Sequence, residues 1–71
     1  MKIMNQTKDY IAEFNGDIWT NQDNQGYSII MRGALRPILG IYETQQRADE
    51  VLRELYHCYK EGKQAYEMPQ Q

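Results

Sequence analysis

The chain has 71 residues, 41% of them hydrophobic and 25% charged, a balance that excludes wholesale disorder and fibrous repeats. Its length admits one domain, burying only about 60% of the surface exposed by the unfolded chain. Net charge is −2 and there is a single cysteine. No internal disulfide can staple the fold, and a basic field that grips phosphates is absent overall. The charge is uneven along the chain. Residues 24–42 carry Arg32 and Arg36 and no acid, so this segment is the one place where a positive surface is expected.

The N-terminus lacks the apolar run of a signal peptide, and no stretch approaches the ~20 apolar residues of a membrane span. Together with the lone Cys58, this points to a cytoplasmic protein.

In chain order, Asp9–Phe14 and Asp17–Thr20 flank Asn15-Gly16, a strong signal for a tight hairpin. That register sets Glu13 opposite Ile18 and Ala12 opposite Trp19. It places Tyr10, Ala12, Phe14 and Trp19 on the core face. Asn21–Gly26 reads as a polar connection. Tyr27–Arg32 follows as a strand, Gly33–Leu35 as a turn, and Ile38–Tyr42 as a second strand entered at Pro37. Gly40, in mid-strand, predicts a bulge or the close approach of another element.

The period then becomes helical. Thr44 is a good N-cap, Ala48, Val51, Leu52, Leu55 and Tyr59 recur on one face, and Gly62 ends the helix. Asp49 and Arg53 are spaced for an ion pair. Tyr66–Met68 adds a short last strand before Pro69. The expected architecture is α+β: a small antiparallel sheet of three to five strands, with one C-terminal amphipathic helix on one face. Residues 1–69 form a single domain, and 70–71 a disordered tail. One helix covers about three strands, leaving sheet surface for a partner or a second copy.

Three groups of residues resemble a set of small uncharacterised proteins of Firmicutes and their prophages. These are Met1-Lys2-Ile3 with Gln6, Leu39-Gly40-Ile41-Tyr42 leading through Thr44 to Arg47-Ala48 and Val51-Leu52, and Tyr66-Glu67-Met68-Pro69. The resemblance implies a mobile-element or host accessory protein, and no particular activity.

The residues offer little chemistry. His57 and Cys58 are adjacent on the helix and point about 100° apart, so they do not converge on one substrate. One His and one Cys fall short of a zinc site, and Asp17, Asn21 and Asp23 lack the spacing of a calcium loop. No glycine-rich phosphate loop precedes the helix. Neither a cofactor nor a metal is expected, and the chain reads as a non-enzyme. The six tyrosines and Trp19 are the notable feature. Tyr10, Tyr27, Tyr42 and Tyr59 are assigned to the core or its rim, with at least two of the tyrosines partly exposed. The expected function is a protein-interaction module, phage- or mobile-element-associated, that binds a host or phage protein. Its candidate surface is Trp19, Tyr27, Ile30, Arg32 and Arg36. The alternative is a small nucleic-acid-binding domain in which Arg32 and Arg36 sit beside exposed aromatics. Homodimerisation by edge strands or sheet faces is the remaining partner reading.

Overall fold

A computed structural model describes residues 1–71. The elements are β1 (Lys2–Met4), β2 (Ile11–Glu13), β3 (Ile18–Asp23), β4 (Gly26–Met31), β5 (Ile38–Tyr42), α1 (Gln45–Lys60) and β6 (Ala65–Glu67). The α+β class holds, but the strands form two sheets of three rather than one: β2-β1-β6 and β3-β4-β5. All pairings are antiparallel except β1 with β6.

The hairpin expected at Asn15-Gly16 does not form. Gly16 has φ +84°, but Asn15 is not among the positive-φ residues, and a type I′ turn needs both. The Asn15 side chain instead accepts from the Asp17 N–H at 2.8 Å and donates to the Arg32 carbonyl at 2.7 Å. The dipeptide is therefore a corner between sheets. β2 pairs with β1, placing Ala12 opposite Ile3, and β3 pairs with β4, placing Trp19 opposite Ile30.

The residues read as a polar connection close a tighter hairpin, with Asp23 opposite Gly26. The Asp23 carboxylate accepts from the Gln25 N–H at 2.8 Å and the Ser28 hydroxyl at 2.6 Å. Gly26 is obligatory here. Its φ is +136°, and a Cβ would lie 2.6 Å from the Tyr42 carbonyl oxygen.

Gly40 meets both expectations. The β4–β5 register slips between Ile29 and Ile30, a bulge that turns Leu39 into the core. A Cβ on Gly40 would stand 3.0 Å from the Tyr42 hydroxyl and 3.3 Å from the Met68 methyl.

The helix starts as read. The Thr44 hydroxyl accepts from the Arg47 N–H at 3.1 Å, and Gly62, just past the end, has φ +76°. Ala48, Val51 and Leu55 share one buried cluster with Ile29, Met31 and Leu39 from the second sheet, Ile3 and Ala12 from the first, and Met68 just past β6. Gln70 and Gln71 hydrogen-bond to the body of the fold. The Gln70 side chain donates to the Gln6 carbonyl at 2.8 Å, and the Arg47 Nε donates to the Gln71 carbonyl at 2.9 Å.

Gln6 joins the two sheets. Its backbone N–H donates to the Leu39 carbonyl at 2.8 Å. Its side-chain amide then pairs with Ile41 as another strand's peptide group would. Oε1 accepts from the Ile41 N–H at 2.8 Å, and Nε2 donates to the Ile41 carbonyl at 3.0 Å. The same Nε2 lies 2.9 Å from the Gln70 carbonyl. The outer edge of β5 is thereby sealed by a side chain and the C-terminal tail.

Candidate functional site

Of the five residues read as an interaction surface, three come together. Trp19 and Ile30 face each other across β3 and β4, and the Arg32 guanidinium lies 5.2 Å from the Trp19 ring centre. Ile38, next to Ile30 on β5 and 47% exposed, extends this strip. The strip lies on the sheet face away from α1, because β3 presents Ile18, not Trp19, to the core. The expected inward Trp19 depended on the Asn15-Gly16 hairpin and goes with it. Tyr27 is on the opposite face, packed against the core. Arg36 stands instead 5.8 Å from the Tyr10 ring centre.

The positive surface expected of residues 24–42 is neutralised by acids from earlier in the chain. Arg32 pairs with Asp17 at 2.8 Å, and Arg36 pairs with Asp9 at 3.1 Å. Asp9 is held well below the usual carboxylate range by the Thr7 hydroxyl, then the Asn5 amide, then Arg36. Asn5, itself buried, organises that loop. It donates to Asp9 and accepts from the Asp9 and Tyr10 N–H groups.

On the helix, Asp49 and Arg53 make no ion pair. Arg47 instead reaches Glu50 at 3.5 Å and Glu54 at 3.6 Å. His57 is exposed beside Glu61 at 3.1 Å, and Cys58 is half-buried.

A second surface emerges that the sequence reading did not assemble. An open groove of about 660 Å³ runs between the Phe14–Ile18 corner and the C-terminal half of α1. Its apolar floor is Phe14, Ile18, Leu52 and Leu55, and its wall is Tyr56 and Tyr59. The aromatic rings form a ladder. Phe14 and Tyr59 are 4.9 Å apart between centroids, Tyr59 and Tyr56 are 6.5 Å apart and nearly parallel, and the Lys60 ammonium stands 5.6 Å from the Tyr56 ring centre. Tyr56 and Tyr59 remain 57% and 52% exposed, so the expected exposure of at least two tyrosines is met by this pair.

Tyr59, assigned to the core or its rim because it continues the apolar stripe, stands at the rim. The stripe is correct, but at this end only the Phe14 corner lies beneath it. Two tyrosines three apart in the last helical turns were the available signal, since i, i+3 residues share a face. The opposite flank of α1 is closed by β6, where the Tyr66 hydroxyl donates to Glu54 at 3.0 Å.

No protein-family model, curated protein or solved structure matches the chain. No helix is long and apolar enough to cross a membrane.

Proposed function

We propose that the chain is a protein-interaction module, acting by binding rather than catalysis in the cytoplasm, and docking on a host or phage protein. The observation that carries this reading is the groove beside α1. There Tyr56 and Tyr59, rigid and amphipathic, stand exposed over an apolar floor, in the manner of interface anchors. The Trp19–Ile30–Ile38 strip is a lesser apolar surface on the other side of the same sheet. The association with phages or other mobile elements rests on the three sequence motifs alone.

The nucleic-acid reading draws on the Arg32 guanidinium over Trp19. The ion pairs that occupy Arg32 and Arg36 weigh against it. Affinity capture from a bacterial lysate, with and without nuclease, separates the two. Stoichiometric recovery of one protein that survives nuclease supports the interaction module. Recovery that vanishes with nuclease transfers the function to nucleic acid, with a steep salt dependence.

A further inference from the structure

The second sheet has two edges, treated oppositely. The β5 edge is sealed by the Gln6 amide and the C-terminal tail. The β3 edge is bare. The Arg32 N–H donates to the Asp17 carbonyl, so in this register Asp17, Trp19, Asn21 and Asp23 turn their peptide groups toward β4. Ile18, Thr20 and Gln22 turn theirs outward. No hydrogen bond from elsewhere in the molecule reaches these three N–H and three C=O groups. The strand carries no proline, lysine or bulge, the devices that ordinarily guard an edge.

The groove opens beside this edge. Ile18 is common to both, and Leu52, Tyr56 and Tyr59 form the flank of α1 on that side. A strand added to β3 would therefore lie below this flank, with alternate side chains directed at Leu52 and Tyr56.

The rim sets the chemistry of the occupant. Arg53 and Lys60 flank Tyr56 along one helix stripe, and neither makes an ion pair. No carboxylate lines the groove, in a chain whose net charge is −2, and the His57 in its lining is already paired with Glu61 at 3.1 Å. Asp49 lies one turn before Arg53, outside the lining. A second copy of the chain fits poorly. The fully paired antiparallel register centred on Thr20 would set Asp17 opposite the other copy's Asp23, twice per dimer, and like charges so placed repel.

We propose that the β3 edge and the adjoining groove receive an extended acidic–apolar segment of a partner protein, added as a fourth strand. This rests on the interaction-module reading and specifies the partner's chemistry. Main-chain bonds to Ile18, Thr20 and Gln22 supply the docking; on the face of the added strand turned toward α1, one apolar side chain fills the groove and carboxylates two positions before and after it meet Arg53 and Lys60.

The test is an NMR titration of the full chain with a capped Thr-Glu-Thr-Val-Thr-Glu-Thr peptide, which sets Glu, Val and Glu on one face of a strand, against the same peptide with Lys in place of Glu. The expected result is shifts and slowed exchange at the Ile18, Thr20 and Gln22 amides with the Glu peptide only. Arg53→Glu combined with Lys60→Glu should weaken this binding roughly tenfold, and Trp19→Ala should leave it unchanged. Equal binding of the two peptides, or silence at those amides at millimolar peptide, overturns the proposal. So do concentration-dependent edge shifts without peptide, which would mean self-pairing. Shifts confined to Trp19, Ile30 and Ile38 overturn it while leaving a binding module. Silence everywhere, together with an empty lysate capture, removes both readings.

Discussion

Replacing Gln6 with alanine should remove a disproportionate share of the stability. The side chain exchanges two hydrogen bonds with Ile41, at 2.8 and 3.0 Å, and shares Nε2 with the Gln70 carbonyl at 2.9 Å. A protein hydrogen bond contributes about 0.5–1.5 kcal/mol net, and a donor left unpaired away from water costs about 1–3 kcal/mol. Water will reach part of the half-buried Ile41 site, so the loss should be about 2–3 kcal/mol. A small domain has only about 3–5 kcal/mol to lose, and its melting temperature should fall by about 10–20 °C. Urea unfolding followed by circular dichroism measures this directly, with an unchanged slope if two-state behaviour persists. Gln6→Glu sharpens the test. It keeps an acceptor for the Ile41 N–H but aims an anion at the Ile41 and Gln70 carbonyls. Its folded-state pKa should rise, so its stability should be greatest in mild acid and fall as pH rises through that value. A loss below about 0.5 kcal/mol for Gln6→Ala, the usual range for surface substitutions, would refute the view that this amide substitutes for a strand.

Gly26→Ala should cost about 3 kcal/mol or more, because it combines a φ of +136° with a Cβ 2.6 Å from the Tyr42 carbonyl oxygen; the same urea titration reads it. Asp9, Glu13 and Asp23 are all held below their ordinary pKa by hydrogen bonds, from Thr7, Lys2 and Ser28 foremost. The stability they add is present above the unfolded carboxylate range and lost as pH falls through the folded values, so acid unfolding should begin below about pH 4. Burial pushes the Tyr42 hydroxyl up to about 12 from an ordinary 10.0, and raises Tyr66, with help from its bond to Glu54. Their contribution is complete below pH 10.0 and is lost as pH rises toward the folded values. Tyrosinate absorbance should then appear together with loss of structure. Tyr56→Ser should change stability by less than about 1 kcal/mol, since the ring is 57% exposed.

The helix was the most legible element, because N-cap, stripe and terminal glycine all act within a few residues of one another. The β4 and β5 strands, the bulge at Gly40 and the short β6 were readable for the same reason: each has a local steric signature. Pairing was not readable. Asn15-Gly16 carries a hairpin signal, yet the choice of β1 as the partner of β2 is made by Asn5 and Lys8 in a compact loop, where Lys8 takes φ +63°. That choice moved Trp19 to the outer face and made Ile18 a core contact. The ion pairs were also invisible in linear sequence, since Asp9–Arg36 and Asp17–Arg32 join residues from different elements. Ile30 and Arg32 were recoverable as one face because alternation along β4 survives any change of partner, whereas Trp19 joins them only through the β3–β4 register. The groove was not, because its aromatic wall depends on where the sheet ends beneath the helix.

The central claim is that this chain works by holding a protein partner on the Tyr56 flank of α1 beside the β3 edge. The most direct measurement is parallel capture from a nuclease-treated bacterial lysate by the wild-type chain, Tyr56→Glu and Trp19→Ala, with each variant first shown to be folded. The account predicts one stoichiometric protein on the wild type and on Trp19→Ala, and its loss from Tyr56→Glu. Capture that persists on Tyr56→Glu, or that is absent from all three, would contradict it.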